Sequence, residues 1–235
     1  NYPGMFLYRN ASVAENTLLS DFAPFPLETV IGGYNRLNLL PVKRADYIAD
    51  LSPRQALPWR LVLVTTSDIG LLATDTPFCL APDCRVADTS WIRPGKVAWD
   101  WWNDWNLKGV DFETGVNNDT YKYYIDFASK NGIEYVILDE GWAVPGEADL
   151  MQVVPEIDLE MLVKYASERN VGLVLWAGYK AFDRDMENVC KHYSAMGIKG
   201  FKIDFMDRND QEMMRFLEKA AETAARYHLF CDFHG

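Results

Sequence analysis

The sequence is poor in histidine, with three, and in cysteine, with four (Cys79, Cys84, Cys190 and Cys231), among 235 residues. A His-rich zinc site and a disulfide scaffold are thereby disfavoured, and no Cys-x-x-Cys pair occurs. Only Cys79 and Cys84 lie close enough in sequence to suggest a local bridge. Long apolar runs are missing as well. The longest, such as Leu61 to Val64 and Tyr135 to Leu138, are strand-sized, far short of the ~18 residues of a membrane span, so no membrane insertion is expected. Positive charge is in deficit: 23 Lys+Arg against 34 Asp+Glu leave a formal net charge of -11. Nucleic-acid phosphates or an anionic bilayer would oppose that field, and neither is an expected partner. The acidity has two readings, plain solubility or an acidic active-site cleft. The first residues, Asn1-Tyr2-Pro3, include neither an initiator Met nor a signal-peptide pattern, as expected of a processed form or an excised piece.

What remains is an ordinary soluble globular composition, 49% hydrophobic, 14% aromatic and 24% charged, which excludes collagen-like and disordered chains. Residues 1 to 90 carry eight of the eleven prolines. Short β-rich runs there, such as Trp59 to Thr66, sit between turn signals, so this part reads as all-β. The stretch Ile92-Arg93-Pro94-Gly95 is the natural boundary.

Beyond Gly95 the pattern alternates strand and helix. Lys96 to Trp102 reads as a strand, and Asn118 as the cap of a helix running to Lys130 that stops at Asn131-Gly132. Ile133 to Trp142 forms a second strand ending in carboxylates. Leu159, Leu162, Val163 and Ala166 mark a helix before the strand Val171 to Trp176. Met186, Val189, Cys190 and Tyr193 mark another, stopped at Gly197 before the strand Gly200 to Phe205. A helix from Asp210 to Arg226 leads into the last strand, His228 to Phe233. Five strands alternating with four helices imply parallel β/α units. A doubly wound sheet usually carries a glycine-rich phosphate turn after its first strand. Here that place holds Trp101-Trp102-Asn103-Asp104, and no Gly-x-Gly-x-x-Gly occurs. The expected fold is therefore α/β, a partial (β/α)8 TIM barrel of about five strands preceded by part of an all-β sandwich domain. Residues 1–92 are read as the end of that domain and a linker, and 93–235 as the first part of the barrel.

Barrel enzymes carry their catalytic groups at the C-terminal ends of the strands. In order, these ends hold Asp100, Asp139-Glu140, Trp176, Asp204 and Asp232-Phe233-His234. Side chains alternate along a strand, so Phe201, Ile203 and Phe205 should face the helices while Lys202 and Asp204 point into the mouth. Burying such a pair is costly unless it is paired or used, which leaves a structural ion pair or a functional one. Tryptophans gather at the same ends. Placement after the strands favours sugar contact for Trp102 and Trp142, whereas Trp99 reads as core. Aromatic walls beside carboxylates suit sugar rings, and two carboxylates suggest glycoside hydrolysis. Asp204 is the candidate nucleophile, since a neighbouring Lys cation keeps a carboxylate ionised. Asp100, Trp102, Asp139, Glu140, Trp142 and Lys202 are the candidate substrate-binding residues.

The blocks Lys96 to Trp105 (KVAWDWWNDW), Tyr135 to Trp142 (YVILDEGW) and Gly200 to Gln211 (GFKIDFMDRNDQ), with the final Asp232-Phe233-His234-Gly235, closely resemble glycoside hydrolase family 97 over about residues 20 to 235. DEGW and the Lys-x-Asp of the fourth strand more distantly resemble the α-galactosidase clan. The resemblance implies a calcium-dependent, exo-acting α-glycosidase, periplasmic or secreted, with a β-sandwich, a barrel and a further β-domain. The family holds inverting α-glucosidases and retaining α-galactosidases. An Asp nucleophile ending the fourth strand marks the retaining branch, so Asp204 implies an α-galactoside substrate. By the same resemblance, Asp139 and Glu140 hold ring hydroxyls and Lys202 hydrogen-bonds the sugar. The acid/base Glu falls downstream of Gly235 and most calcium-ligating glutamates fall outside the segment, so these residues alone are expected to be inactive. No residue here is assigned to a metal, and nothing sets an oligomeric state. The rival readings are an inverting α-glucosidase of the same family, a Schiff-base aldolase using Lys202, and a non-catalytic sugar-binding module.

Overall fold

The computed structural model describes residues 6–8, 17, 19–55, 61–145 and 149–235. Two antiparallel pairs come first: β1 (Phe6–Tyr8) with β2 (Leu19–Asp21), and β3 (Pro26–Gly32) with β4 (Asn38–Arg44). Residues Asp50–Ser90 form a compact unit of their own. It contains two five-residue helices, α1 (Asp68–Leu72) and α2 (Thr76–Leu80), and no strand among its described residues. The strand expected through Trp59 to Thr66 is not formed over 61–66, while Trp59 and Arg60 lie outside the described residues. Leu61 to Val64 are exposed, and β-branched composition makes a strand only where a partner and a buried face are supplied. Cys79 and Cys84 are free and exposed, so the suggested bridge is not made.

From Trp91 onward the chain forms the main unit together with residues 1–49. Five parallel strands, β5 (Val97–Trp99), β6 (Tyr135–Leu138), β9 (Gly172–Gly178), β10 (Gly200–Asp204) and β11 (Phe230–Phe233), pair in that order. A short antiparallel hairpin, β7 (Ala143–Val144) with β8 (Asp149–Val153), interrupts the sequence after β6. The crossovers carry α3 (Asn118–Lys130), α4 (Leu159–Ser167), α5 (Tyr179–Arg184), α6 (Met186–Met196) and α7 (Gln211–Arg226). This is a partial (β/α)8 barrel, as expected.

Local chemistry explains the helix limits. Asn117, one residue earlier than expected, caps α3 by accepting from Thr120 N at 2.9 Å. Asp158 and Asp210 do the same for α4 and α7. Gly197, at φ 110, ends α6 in a left-handed conformation that a glycine adopts without steric cost. Each helix then turns one apolar stripe to the sheet. On α7 that stripe is Met213, Phe216, Leu217, Ala220 and Ala224, all buried. The central strands are buried along their length, Leu173 to Gly178 in β9 and all of β10, which is the pattern of a parallel sheet covered on both faces.

One expected strand is shorter than its sequence suggests. β5 ends at Trp99, and Asp100–Asn103 turn into a 3-10 helix closed by Asp104 at φ 52. Asp100, Trp101 and Trp102 therefore follow helical rather than alternating geometry, which decides where their side chains go. Among the described residues, no helix is long and apolar enough to cross a membrane.

Candidate active site

At the C-terminal ends of β5, β6, β9 and β10 lies a cavity of about 680 Å³ in the main unit. Its polar centre is Lys202 with Asp139 and Asp204. The Lys202 Nζ donates to Asp204 Oδ2 at 2.7 Å and to Asp139 Oδ2 at 2.9 Å, and it stands 4.8 Å from the Trp99 ring centroid. Alternation along β10 puts Lys202 and Asp204 on the same face, as expected, while Phe201 packs on Phe182 and Tyr193 of the helices. Lys202 is 2% exposed, and a cation so enclosed is tolerable only because two carboxylates share it.

Asp204 is heavily hydrogen-bonded. Beyond Lys202, the Trp176 indole donates to Oδ2 at 3.2 Å and the Phe205 N–H to Oδ1 at 2.8 Å. His234 Nδ1 lies 3.3 Å from Oδ1. Burial pushes this carboxyl up, but the Lys202 hydrogen bond and charge, with the other donors, outweigh it and hold Asp204 below the usual carboxylate range. Asp139 accepts from the Trp99 indole at 2.5 Å and from Glu140 N at 2.8 Å. Glu140, half-buried on the cavity wall, is raised by burial and by the nearby Asp139 and Asp204 charges, against a lowering hydrogen bond from Asn35.

Asp139, Glu140, Lys202 and Asp204 are thus brought together, and the other three candidates are not. Asp100 is fully enclosed and does not line the cavity. Its carboxylate accepts from Trp101 N at 2.7 Å, Tyr121 OH at 2.8 Å, Trp105 Nε1 at 2.9 Å and Asp139 N at 3.1 Å. It is a strut beneath Asp139, where burial, partly countered by these donors, raises its pKa to about 6. Trp142, expected at the sugar, is 0% exposed in the core. Gly141, at φ 122, turns the chain there, so the indole donates to Trp176 O at 2.9 Å and packs edge-on against Tyr193. Trp102, 82% exposed, leans on Trp99 outside the cavity lining.

The aromatic wall is built instead by Trp99, Trp101, Trp105 and Trp176, and the reading of Trp99 as core is corrected by its bond to Asp139. Phe205 also departs from expectation. It should have faced the helices, but at φ 62 it leaves the strand and turns into the cavity. Tyr34, Asp207 and His234 complete the lining. A strand-end position was the available signal for Trp176 and His234. Tyr34 gave none, since the β3–β4 turn is distant in sequence.

Calcium, implied by the family resemblance, asks for about six to eight oxygen ligands. Among the described residues, no group of three or more His, Cys, Asp or Glu side chains is gathered to hold a metal. Asn38 Oδ1 is a buried oxygen with no hydrogen-bond partner, but the neighbouring Asp207 carboxylate alone does not build a site around it. The described residues do not fit the ion, and no step below runs through it.

A parallel β/α-barrel segment whose mouth joins an ionised carboxylate, a shared lysine and an indole wall has the make-up expected of carbohydrate-cleaving barrels. The chain is a member of glycoside hydrolase family 97: the family model Glycoside hydrolase 97 matches residues 101–235. It is 62% identical over all 235 of its residues to the retaining alpha-galactosidase of Bacteroides thetaiotaomicron, covering 35% of that protein. It is 36% identical over 190 residues, 76% of the chain, to a probable retaining alpha-galactosidase of Streptomyces bingchenggensis, covering 28% of it. The chain thus spans about a third of the length of the curated relatives it matches. A solved glycoside hydrolase family 97 enzyme from Pseudoalteromonas sp. strain K8, in complex with acarbose, shares the fold with TM-score 0.59 at 21% identity, over 70% of this chain and 30% of that one.

Proposed function

We propose that this cavity belongs to an exo-acting retaining α-galactosidase in which Asp204 is the nucleophile. The observation that carries the reading is the Asp204 carboxylate, held ionised at the end of β10 by Lys202. The similarity to proteins named as retaining alpha-galactosidases supports the choice of sugar and stereochemistry.

In the first step an Asp204 oxygen attacks the anomeric carbon, and the bond from that carbon to the leaving oxygen breaks. The leaving oxygen takes a proton from a second carboxyl, which the family resemblance assigns to a glutamate downstream of Gly235. Water then attacks the covalent galactosyl ester, giving its proton to the same group and restoring Asp204 with the α-configuration retained. Asp139 and Glu140 hold ring hydroxyls, and Lys202 keeps Asp204 ionised and hydrogen-bonds the sugar beside it. Trp142, enclosed in the core, does not touch the sugar, and Trp102 stands outside the cavity lining. In the same reading, 93–235 open the catalytic barrel, whereas the expected all-β character of residues 1–92 does not extend over 50–90, whose described residues hold two helices and no strand.

The deciding experiment follows the anomer of the first product by NMR during hydrolysis of aryl α-galactoside and α-glucoside by the full-length protein. Release of α-galactose supports the reading. First release of a β-sugar indicates inversion and overturns it.

A further inference from the structure

One wall of the cavity comes from the β3–β4 hairpin rather than from the barrel. Its turn runs through left-handed backbone, with φ 72 at Gly33, 48 at Asn35 and 59 at Arg36. That path brings Tyr34, Asn35 and Asn38 to the C-terminal edge of the parallel sheet. The Tyr34 ring stacks on Phe205 with centroids 4.9 Å apart and planes at 24°. Asn35 Nδ2 donates to Glu140 Oε1 at 3.1 Å, and Asn38 Nδ2 donates to the Asp207 carboxylate. One turn therefore presents an aromatic ring to the cavity and orients two carboxylates beside it.

Packing alone does not account for this arrangement. Tyr34 remains 55% exposed, so its ring gains little from burial. The Phe205 and Asp207 that meet the turn are held at φ 62 and 46, a left-handed conformation that aspartate tolerates but that is costly for a bulky aromatic residue. A flat, exposed ring next to an oriented carboxylate matches a pyranose, whose C–H face stacks while its hydroxyls donate hydrogen bonds.

Position decides which sugar this is. Lys202, Asp139 and Asp204 are nearly closed to solvent, so the sugar being transferred lies over them. Tyr34 and Asp207 lie in the exposed part of the wall, where Trp101 and His234 are the other exposed side chains, and the rest of an exo-cleaved chain must leave through that exposed part. Resting on the α-galactosidase reading above, we propose that Tyr34 and Asp207 form the binding platform for the leaving-group sugar. The hairpin turn is then a specificity element that favours galactosyl oligosaccharides over galactosides with small leaving groups.

The test compares an α-galactosyl disaccharide with α-galactosyl fluoride, whose leaving group is too small to reach Tyr34. The quantity read is the ratio of the two kcat/KM values in the full-length protein. Tyr34→Ala is expected to lower the ratio about tenfold, the scale of one lost stacking contact. Tyr34→Phe, which keeps the ring, retains most of it, and Asp207→Asn lowers it independently. A ratio unchanged in both Tyr34→Ala and Asp207→Asn overturns the inference, whether the two activities fall in parallel or not at all. A wild-type protein that cleaves neither substrate overturns the α-galactosidase reading and this inference with it, and the wild-type assay alone identifies that outcome.

Discussion

Asn35 and Glu140 are 105 residues apart in sequence, yet the amide of one donates to the carboxylate of the other at 3.1 Å. A hairpin turn and a barrel strand end thus share one cavity wall. The Glu140 carboxyl is raised by burial and the Asp139 and Asp204 charges, and Asn35 works against that rise. Asn35→Ala should therefore move the Glu140 titration to still higher pH. Carbon-detected NMR of the glutamate carboxyls reads this directly, and an unmoved Glu140 resonance would show that the amide has no hold on it.

Replacing Asp204, the proposed nucleophile, should separate chemistry from binding. Asp204→Asn is expected to lower turnover of an aryl α-galactoside by about 10⁴-fold or more, with galactose still bound in calorimetry. Turnover within tenfold of wild type would remove Asp204 from the reaction.

Lys202 is the only cation contacting two buried carboxylates at the mouth among the described residues. Removing it leaves Asp139 and Asp204 facing each other uncompensated. Lys202→Met should cost about 3–5 kcal/mol in urea unfolding and raise the Asp204 pKa toward and past the ordinary range. The acidic limb of kcat/KM then shifts to higher pH. An unchanged limb would mean that Lys202 does not set the charge on Asp204.

Asp100 gives a pH dependence of opposite sign. Its folded pKa of about 6 stands above the ordinary 3.8, so the native state holds a proton that the unfolded chain has released. Stability due to this group is greatest below the unfolded value, falls as pH rises from 3.8 to 6, and levels off above. The full change is on the order of 3 kcal/mol. Asp100→Asn cannot titrate, so the stability of wild type relative to this variant should decline over that window in denaturant midpoints. A flat difference between pH 4 and 7 would place the Asp100 pKa near its ordinary value.

Much of the barrel was legible because its signals are local. The 3.6-residue spacing of Met213, Phe216, Leu217 and Ala220 writes out α7, and alternation along β10 separates Lys202 and Asp204 from Phe201 and Ile203. Local rules failed where the backbone leaves regular geometry. Phe205 keeps the parity of Ile203 in sequence but loses it at φ 62. Trp142 follows a strand end, yet Gly141 turns it into the core, and the 3-10 turn after Trp99 folds Asp100 beneath the site. Tyr34 and Asn38 were out of reach for a different reason. Their role depends on pairing across well over a hundred residues, which no periodicity records.

The left-handed residues at the mouth bear on how the protein responds to heat. Trp105, Phe205 and Asp207 all line the cavity in this conformation, at roughly 1–2 kcal/mol for each of the two aromatic residues and less for Asp207. The segment 205–210 stays in place because Arg44 and Arg208 both grip Asp210, which also starts α7. Such a latch springs open at lower temperature than the helices melt, since local opening needs less free energy than global unfolding. Warming should therefore silence catalysis reversibly several degrees below the calorimetric transition, with the thermal ceiling on activity set by three side chains at the rim.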